Sequence, residues 1–334
     1  MTTKLLATAA LCLAAAAPIP ASWAAEIRPA IVFDLGGKYD KSFNEGVSDG
    51  ATAFSKATGI AVRDFEPQND SQRAQGLRTF AQRGFDPILA VGFSQATALT
   101  EVAKQYPNTH FVIIDSVVDA PNVQSILFRE EQGSYLAGVL AAMASKDGKV
   151  GFVGGMDVPL IRRFACGYVQ GAKSVDPKID VLQNMTGTTG AAWNDPVRGG
   201  ELARSQIERG ADVIYAAAGA TGLGVLKAAA EAGKLGIGVD SNQNGLYPGH
   251  MLTSMTKRVD VATQKAFTAA RDGTWKPGVT VLGLKEGGVA LAFDAENASL
   301  VTPAEKQKVE AVAAEIGDGT LKVHDYMADG ACPE

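Results

Sequence analysis

Three histidines in 334 residues, set far apart at His110, His250 and His324, leave little with which to build a metal centre or a His-based triad. Cysteine is as scarce, at Cys12, Cys166 and Cys332. There is no Gly-x-Gly-x-x-Gly after a strand, no phosphate loop ending in Gly-Lys-Ser/Thr, no Gly-x-Ser-x-Gly elbow and no His-Glu-x-x-His. These absences argue against dinucleotide enzymes, P-loop NTPases, α/β-hydrolases and zinc peptidases. Gly219-Ala220-Thr221-Gly222-Leu223-Gly224 is glycine-dense at a helix start, but in the wrong order for a dinucleotide loop; it fits close approach of backbone to a ligand or to another helix. Positive charge is not in excess, with 31 Lys+Arg against 36 Asp+Glu, so neither nucleic acid nor an anionic membrane is expected as a partner. Beyond the N-terminus no apolar run is long enough to cross a membrane.

The N-terminus reads as an export signal. Residues 1–4 form a short positive region, residues 5–17 an apolar one, and Ser22-Trp23-Ala24 places small residues at −3 and −1 of a cleavage site after Ala24. Leu11 stands before Cys12 where lipid attachment needs a small residue, so a soluble periplasmic protein is expected rather than a lipoprotein. Cys166 and Cys332 then remain, to pair in an oxidising compartment or to stay as buried thiols; the sequence leaves both open. The mature length suits two α/β domains, each with its own core.

What is present is a pattern of apolar strands ending in functional-looking loops. Ile31-Val32-Phe33-Asp34 reads as a buried parallel strand, followed by the turn pair Gly36-Gly37 and then Asp40-Lys41-Ser42-Phe43-Asn44. Ser42 with Glu45 three residues on predicts a capping box opening a helix. The motif thus falls at the carboxyl end of the first strand, where α/β sheets bind ligands, with Phe43 available for stacking beside a hydrogen-bonding Asn44. Phe43 could equally tuck into the core.

The chain also repeats itself. A strand at 84–92 ending in Gly92 and one at 210–219 ending in Gly219 are each followed by a helix, at 95–106 and 223–232. Each helix leads to a strand ending in an aspartate, Phe111-Val112-Ile113-Ile114-Asp115 and Gly236-Ile237-Gly238-Val239-Asp240. Two related βαβ lobes follow from this. A strand at 149–154 leads through Asp157, a cap, and Pro159 into a helix ending near 173; a strand at 179–183 and a helix at 197–208 come next. Thr302-Pro303-Ala304-Glu305 predicts a second capping box. No low-complexity linker separates the halves, which implies several crossings and a hinge.

Taken in order, Asp40-Lys41-Ser42-Phe43-Asn44, the strand ending in Asp115, Tyr135-Leu136-Ala137-Gly138, Gly154-Gly155-Met156-Asp157, Arg163-Phe164 with Gly167-Tyr168, Trp193-Asn194-Asp195-Pro196 and the strand ending in Asp240 resemble the basic membrane protein family. These are substrate-binding proteins of ABC importers, similar to bacterial purine nucleoside receptors. The resemblance covers nearly all of the mature chain. It implies an α/β fold of the type I periplasmic binding protein class: two Rossmann-like lobes with parallel sheets and three crossings. The lobes would be 25–127 with 256–281, and 128–255 with 282–334, after a signal at 1–24.

It also implies a site. Phe43 and Trp193 would sandwich a purine, Asn44 and Asp115 would bond the base edge, and Asp240 would take the ribose diol. Lys257 would donate to sugar hydroxyls and balance the carboxylates, Gly219 and Gly222 would bring backbone close, and Asp34 would join the pocket. Leu35 departs from the polar residue of nucleoside-binding relatives. Asp115 and Asp240 have helix capping as their alternative, Trp193 packing within its own lobe, and Lys257 solvation. The expected partners are a purine nucleoside and an inner-membrane ABC permease, for a monomer that needs no cofactor or metal and is not an enzyme. The alternative is the same fold binding a free sugar or another small polar metabolite, for uptake or sensing; a nucleoside-cleaving enzyme would need a metal-type aspartate cluster that the sequence lacks.

Overall fold

The computed structural model describes residues 27–333; the expected export signal, Cys12 and the expected cleavage point after Ala24 lie outside the described residues. Strand and helix alternate through β1 (Ala30–Val32), α1 (Phe43–Thr58), β2 (Arg63–Phe65), α2 (Ser71–Gln82), β3 (Ile88–Ala90), α3 (Ala96–Gln105), β4 (Phe111–Ile114) and β5 (Val123–Phe128). The chain continues as α4 (Glu130–Ala144), β6 (Lys149–Met156), α5 (Pro159–Val175), β7 (Asp180–Gly187), α6 (Pro196–Glu208), β8 (Val213–Ala217), α7 (Thr221–Glu231), β9 (Leu235–Asp240) and β10 (Met251–Lys257). It closes with α8 (Val259–Arg271), β11 (Gly278–Leu282), β12 (Val289–Leu291), α9 (Pro303–Asp318) and α10 (Tyr326–Asp329).

Two six-stranded sheets result, ordered β11-β5-β4-β3-β1-β2 and β12-β10-β9-β8-β6-β7. Read side by side they share one topology, with β4 matching β9 and β5 matching β10, as the sequence repeat implies. The chain passes from one sheet to the other after β5, after β10 and after β11. All neighbouring strands pair in parallel except β10 and β12, which are antiparallel. β12 follows β11 through a short turn with no helical crossover, so it enters the second sheet against the direction of its neighbour.

Alternation along each strand sends side chains to opposite faces. Ile31 and Phe33 join a core that also holds Phe54 of α1 and Phe267 of α8, while Ala30 and Val32 face Leu77 and Leu99 on the other side. In the second lobe Val213 and Tyr215 face one layer and Ile214 the other. The Tyr135 to Gly138 and Gly167-Tyr168 motifs have a packing reason. A Cβ on Gly138 would sit 2.1 Å from the Tyr168 carbonyl oxygen, and one on Gly171 would sit 1.9 Å from that of Tyr135. α4 and α5 therefore touch backbone to backbone, which fixes the two helices relative to each other.

The caps divide. Thr302 and Glu305 form the expected box at α9. At α1 the expected box is absent: the Ser42 hydroxyl points away to the other lobe, and Asp40 takes its place, accepting from the Ser42, Asn44 and Glu45 amides at 2.8, 3.0 and 3.1 Å. Asp157 does not cap α5 either; Val158 occupies that position and Asp157 pairs with Arg162. Cys166 and Cys332 form a disulfide. Among the described residues no helix is long and apolar enough to cross a membrane.

Candidate functional site

The carboxyl ends of both sheets face one interlobe cavity. From the first lobe, the loop after β1 contributes Asp34, whose Oδ1 accepts from Arg73 Nη1 at 2.6 Å, Ser94 Oγ at 2.8 Å and the Leu35 amide at 2.7 Å. Its Oδ2 lies against Gly92, where a Cβ would come within 2.5 Å, so glycine is required there on space and on its φ of +91°. The Asp40 cap presents Phe43 and Asn44 to the cavity. Asn44 Oδ1 is already taken by the Asp34 amide at 3.1 Å, which leaves its Nδ2 as the group free to donate. Phe93, just after β3, and Asp115, just after β4, complete this side.

The second lobe brings Asp240 at the end of β9, Lys257 at the end of β10, Gly219 after β8, and Leu160, Ile161 and Phe164 from the first turns of α5. Trp193 ends a short 3-10 turn, Gly190–Trp193, and meets Phe93 edge-on with ring centres 6.5 Å apart. Gly155 opposes its ring so closely that a Cβ would fall 2.1 Å from Cζ3. Lys257 Nζ lies 5.1 Å from the Phe43 ring centre.

The lobes meet at polar contacts beside the cavity. Ser42 Oγ donates to Asp240 Oδ2 at 2.5 Å, Ser241 Oγ donates to the Ser42 carbonyl at 2.9 Å, and Gln243 Nε2 donates to the Lys41 carbonyl at 2.9 Å. Lys257 crosses as well. Its Nζ donates to Asp115 Oδ2 at 2.7 Å and lies 2.8 Å from Glu130 Oε1.

Lys41, Asp115 and Asp240 are the non-glycine residues with positive φ among those described, at 59°, 69° and 63°. Two of the three are the strand-end aspartates at matching positions of the two lobes. Backbone held in a sparsely populated region by its surroundings is found preferentially at functional sites. Electrostatics agree. Burial lifts the Asp115 carboxyl to about 7 against the pull of Lys257, with Glu130 and Asp240 adding to the rise. Burial likewise lifts Asp240 to about 6, and Asp40 to about 6. Burial opposes the Lys257 charge, but Asp115, Glu130 and Asp240 together outweigh it and hold the ammonium above its ordinary range. Asp115 Oδ1 accepts no hydrogen bond from the protein, although it is buried.

Eight of the nine expected site residues therefore line one cavity: Asp34, Phe43, Asn44, Asp115, Trp193, Gly219, Asp240 and Lys257. Gly222 does not. It lies in the first turn of α7, where its nearest neighbour is the Ala216 side chain, and so serves helix–strand packing rather than the cavity. Sequence reasoning missed Phe93, Asp40 and Glu130 as parts of this arrangement and left Phe164 without a role. Phe93 had a signal, because it follows the strand-ending Gly92 that the repeat matches with Gly219. Glu130 had none; an acidic residue at a helix start reads as a solvated first turn. The histidines stand apart from the cavity: His110 on Asp86, His250 on the Lys234 carbonyl, His324 on Asp329. Trp275 packs on the His110 ring, also outside it.

The family described as "ABC transporter substrate-binding protein PnrA-like" (Bmp) matches residues 27–325. An uncharacterized lipoprotein of Pyrococcus horikoshii is 38% identical over 279 residues, 79% of this chain and 68% of its own. The ABC transporter nucleoside-binding protein BmpA of Lactococcus lactis is 33% identical over 315 residues, 87% of this chain and 88% of its own. Among solved structures, an ABC transporter solute-binding protein from Aeropyrum pernix superposes with a TM-score of 0.82 at 28% identity, covering 89% of this chain and 92% of that one.

Proposed function

The chain belongs to the PnrA-like (Bmp) family of ABC-transporter substrate-binding proteins, and we propose that its ligand is a purine nucleoside, held between the lobes and handed to an inner-membrane permease. Proteins of this kind bind a small molecule and work with a permease. The observation that carries the finer reading is one cavity that joins flat aromatic faces to a buried carboxylate oxygen without a protein partner. A nucleoside has the matching halves. Its base offers two apolar faces and edge N–H groups, and its ribose offers a vicinal diol.

In this reading Phe43 and Trp193 flank the base, and Phe93 backs Trp193. Asp115 Oδ1 accepts from a base N–H, and the Asn44 Nδ2 donates to a base acceptor. Asp240 accepts from the diol. An ammonium has three protons, so Lys257, engaged with Asp115 and Glu130, retains one for a sugar hydroxyl. Gly219 allows close backbone contact, and Asp34, its Oδ1 already taken, stiffens the wall that holds Asn44. The Lactococcus relative is named for nucleoside binding and matches over most of both chains, which supports the same ligand class here. The protein acts in the periplasm as a non-catalytic monomer without a cofactor, and the two lobes close about the crossings that follow β5, β10 and β11.

A thermal-shift screen of purine nucleosides, free bases and ribose tests this. A nucleoside at 100 times its Kd adds ~2.7 kcal/mol of stability when it binds only the folded state. Intact purine nucleosides should stabilise the protein, and ribose or free base should do so weakly or not at all. Ribose as effective as guanosine or adenosine would replace this reading with that of a sugar-binding protein.

A further inference from the structure

The C-terminal tail is fastened to α5 at three points. Cys332 is disulfide-bonded to Cys166. The Gln170 side chain donates to the His324 carbonyl at 3.0 Å and accepts from its amide at 2.9 Å. Asp325 accepts from both Arg163 Nε and Nη2, at 2.8 and 2.7 Å. α10 itself has no buried residue, so these attachments, rather than apolar packing of that helix, keep Asp325 in place.

The grip on Arg163 reaches the cavity. Its remaining nitrogen, Nη1, donates at 2.9 Å to the carbonyl of Phe128, the last residue of β5 before the chain crosses lobes, and at 2.9 Å to Glu130 Oε2. The other Glu130 oxygen lies 2.8 Å from Lys257 Nζ, which donates to Asp115 Oδ2 at 2.7 Å. Within this connected group the cations Arg129, Arg163 and Lys257 face the carboxylates of Asp115, Glu130, Glu131, Asp240 and Asp325, with Arg129 3.8 Å from Glu131. With carboxylates in excess, where each cation points decides which of them is neutralised.

We propose that the disulfide-fastened tail is part of the binding machinery: Asp325 and Arg163 are positioning residues that hold Glu130 and Lys257 in register with Asp115. A guanidinium is a rigid planar fork, so fixing Nε and Nη2 on Asp325 leaves Nη1 one direction, toward Glu130. Without Asp325, the nearest other carboxylate for Nε is Glu131 Oε2 at 3.6 Å. A turn toward Glu131 takes Nη1 off Glu130. Glu130, having lost one of its two cations, then draws Lys257 away from Asp115. The ligand-binding arm of the test rests on the nucleoside reading above; the titration arm does not.

The test compares Asp325→Asn with Asp325→Glu, with the double variant Cys166→Ser/Cys332→Ser, and with Thr302→Ala, which removes the remote α9 cap and so lowers stability without touching the tail. Calorimetry with guanosine at pH 7 should show binding weakened about tenfold in Asp325→Asn and in the double variant, a typical coupling within one hydrogen-bonded network. Asp325→Glu should recover most of the affinity, and Thr302→Ala should keep all of it. The groups facing Asp115 are Lys257 from β10, Glu130 from α4 and Asp240 from β9. In the ligand-free protein, carbon-13 NMR of labelled aspartate should show Asp115 titrating higher in Asp325→Asn than in the wild type. The affinity defect should accordingly shrink at pH 8.5. Wild-type affinity or an unmoved Asp115 titration in folded Asp325→Asn overturns the proposal. If the wild type binds no nucleoside, the functional reading fails by itself, and the Asp115 titration still decides this one.

Discussion

Lys257→Met removes the cation that joins the two lobes while keeping a side chain of similar length. Lys257 is 2% exposed and lies within 2.8 Å of both Asp115 and Glu130. Taking one partner from a buried ion pair typically costs ~3–5 kcal/mol, because the remaining charge stays buried and uncompensated. At roughly 2–4 °C per kcal/mol for lobes of this size, that corresponds to a drop in Tm of about 6–20 °C at pH 8.5, where Asp115 of the wild type is ionised. The effect should depend on pH in a defined direction. Lys257 is held above its ordinary range, so it stays charged throughout pH 5–8.5 and its own titration contributes nothing there. Asp115 is raised by burial to about 7 even with Lys257 beside it, so near pH 5 it carries a proton in both proteins and the ion pair is largely absent. Without Lys257 it rises further. Above pH 7 the variant then loses an additional ~1.4 kcal/mol per pH unit relative to the wild type, until its own Asp115 ionises. Differential scanning calorimetry from pH 5 to 8.5 measures this. A loss that is the same at both ends of that range, or less than ~1 kcal/mol at pH 8.5, would refute the electrostatic account of the site.

Asp240→Asn keeps size but removes the charge proposed for the diol, and should weaken nucleoside binding by ~1.5–3 kcal/mol in calorimetry, the range for hydrogen bonds to charged groups; an unchanged Kd would assign Asp240 to Ser42 alone. Trp193→Ala should weaken binding by ~1–3 kcal/mol and abolish the ligand-induced change in tryptophan emission, whereas Trp275→Phe, remote from the cavity, should leave both intact; normal binding by Trp193→Ala would limit Trp193 to packing. On the proposed assignment guanosine and inosine would donate to Asp115 and favour its ionised form, so their binding should release protons and tighten as pH rises from about 5 to about 7, following the raised values of Asp240 and Asp115. Calorimetry in two buffers of different ionisation enthalpy reads that release, and proton uptake would reverse the assignment of donor and acceptor.

Much of this protein is local and therefore legible in the chain. Apolar runs of strand length, ended by glycine or aspartate and followed by helices, carry the lobes, because burial on both faces of a parallel strand demands such runs. The repeat of Asp115 and Asp240 at matching strand ends marked the mouth of each sheet, the loop from Asp40 to Asn44 offered one aromatic there, and Trp193 came only with the family resemblance. Function at the carboxyl ends of parallel strands follows from chain direction, so eight of the nine expected residues meet in one cavity. Gly222 was misplaced because the same spacing that lets backbone approach a ligand also lets a helix approach a strand.

What tertiary structure alone decided is partner choice among groups far apart in sequence. Ser42 and Glu45 have the spacing of a capping box, yet Asp40 won the amides and Ser42 was released to Asp240, 198 positions away. Lys257 sits where a lone lysine would usually be solvated; only the meeting of β10, β4 and α4 shows it buried between two carboxylates. The pairing of Cys166 with Cys332 was open from sequence, since 166 positions of spacing say nothing of whether two thiols meet. Glu130 and Asp325 have no local signature, and Arg163, although part of a family motif, gives no sign of its partners in the chain. Their value is set by desolvation and by which opposite charge lies within 3 Å, and both are properties of the folded packing of α4 on α5, not of any stretch of the chain.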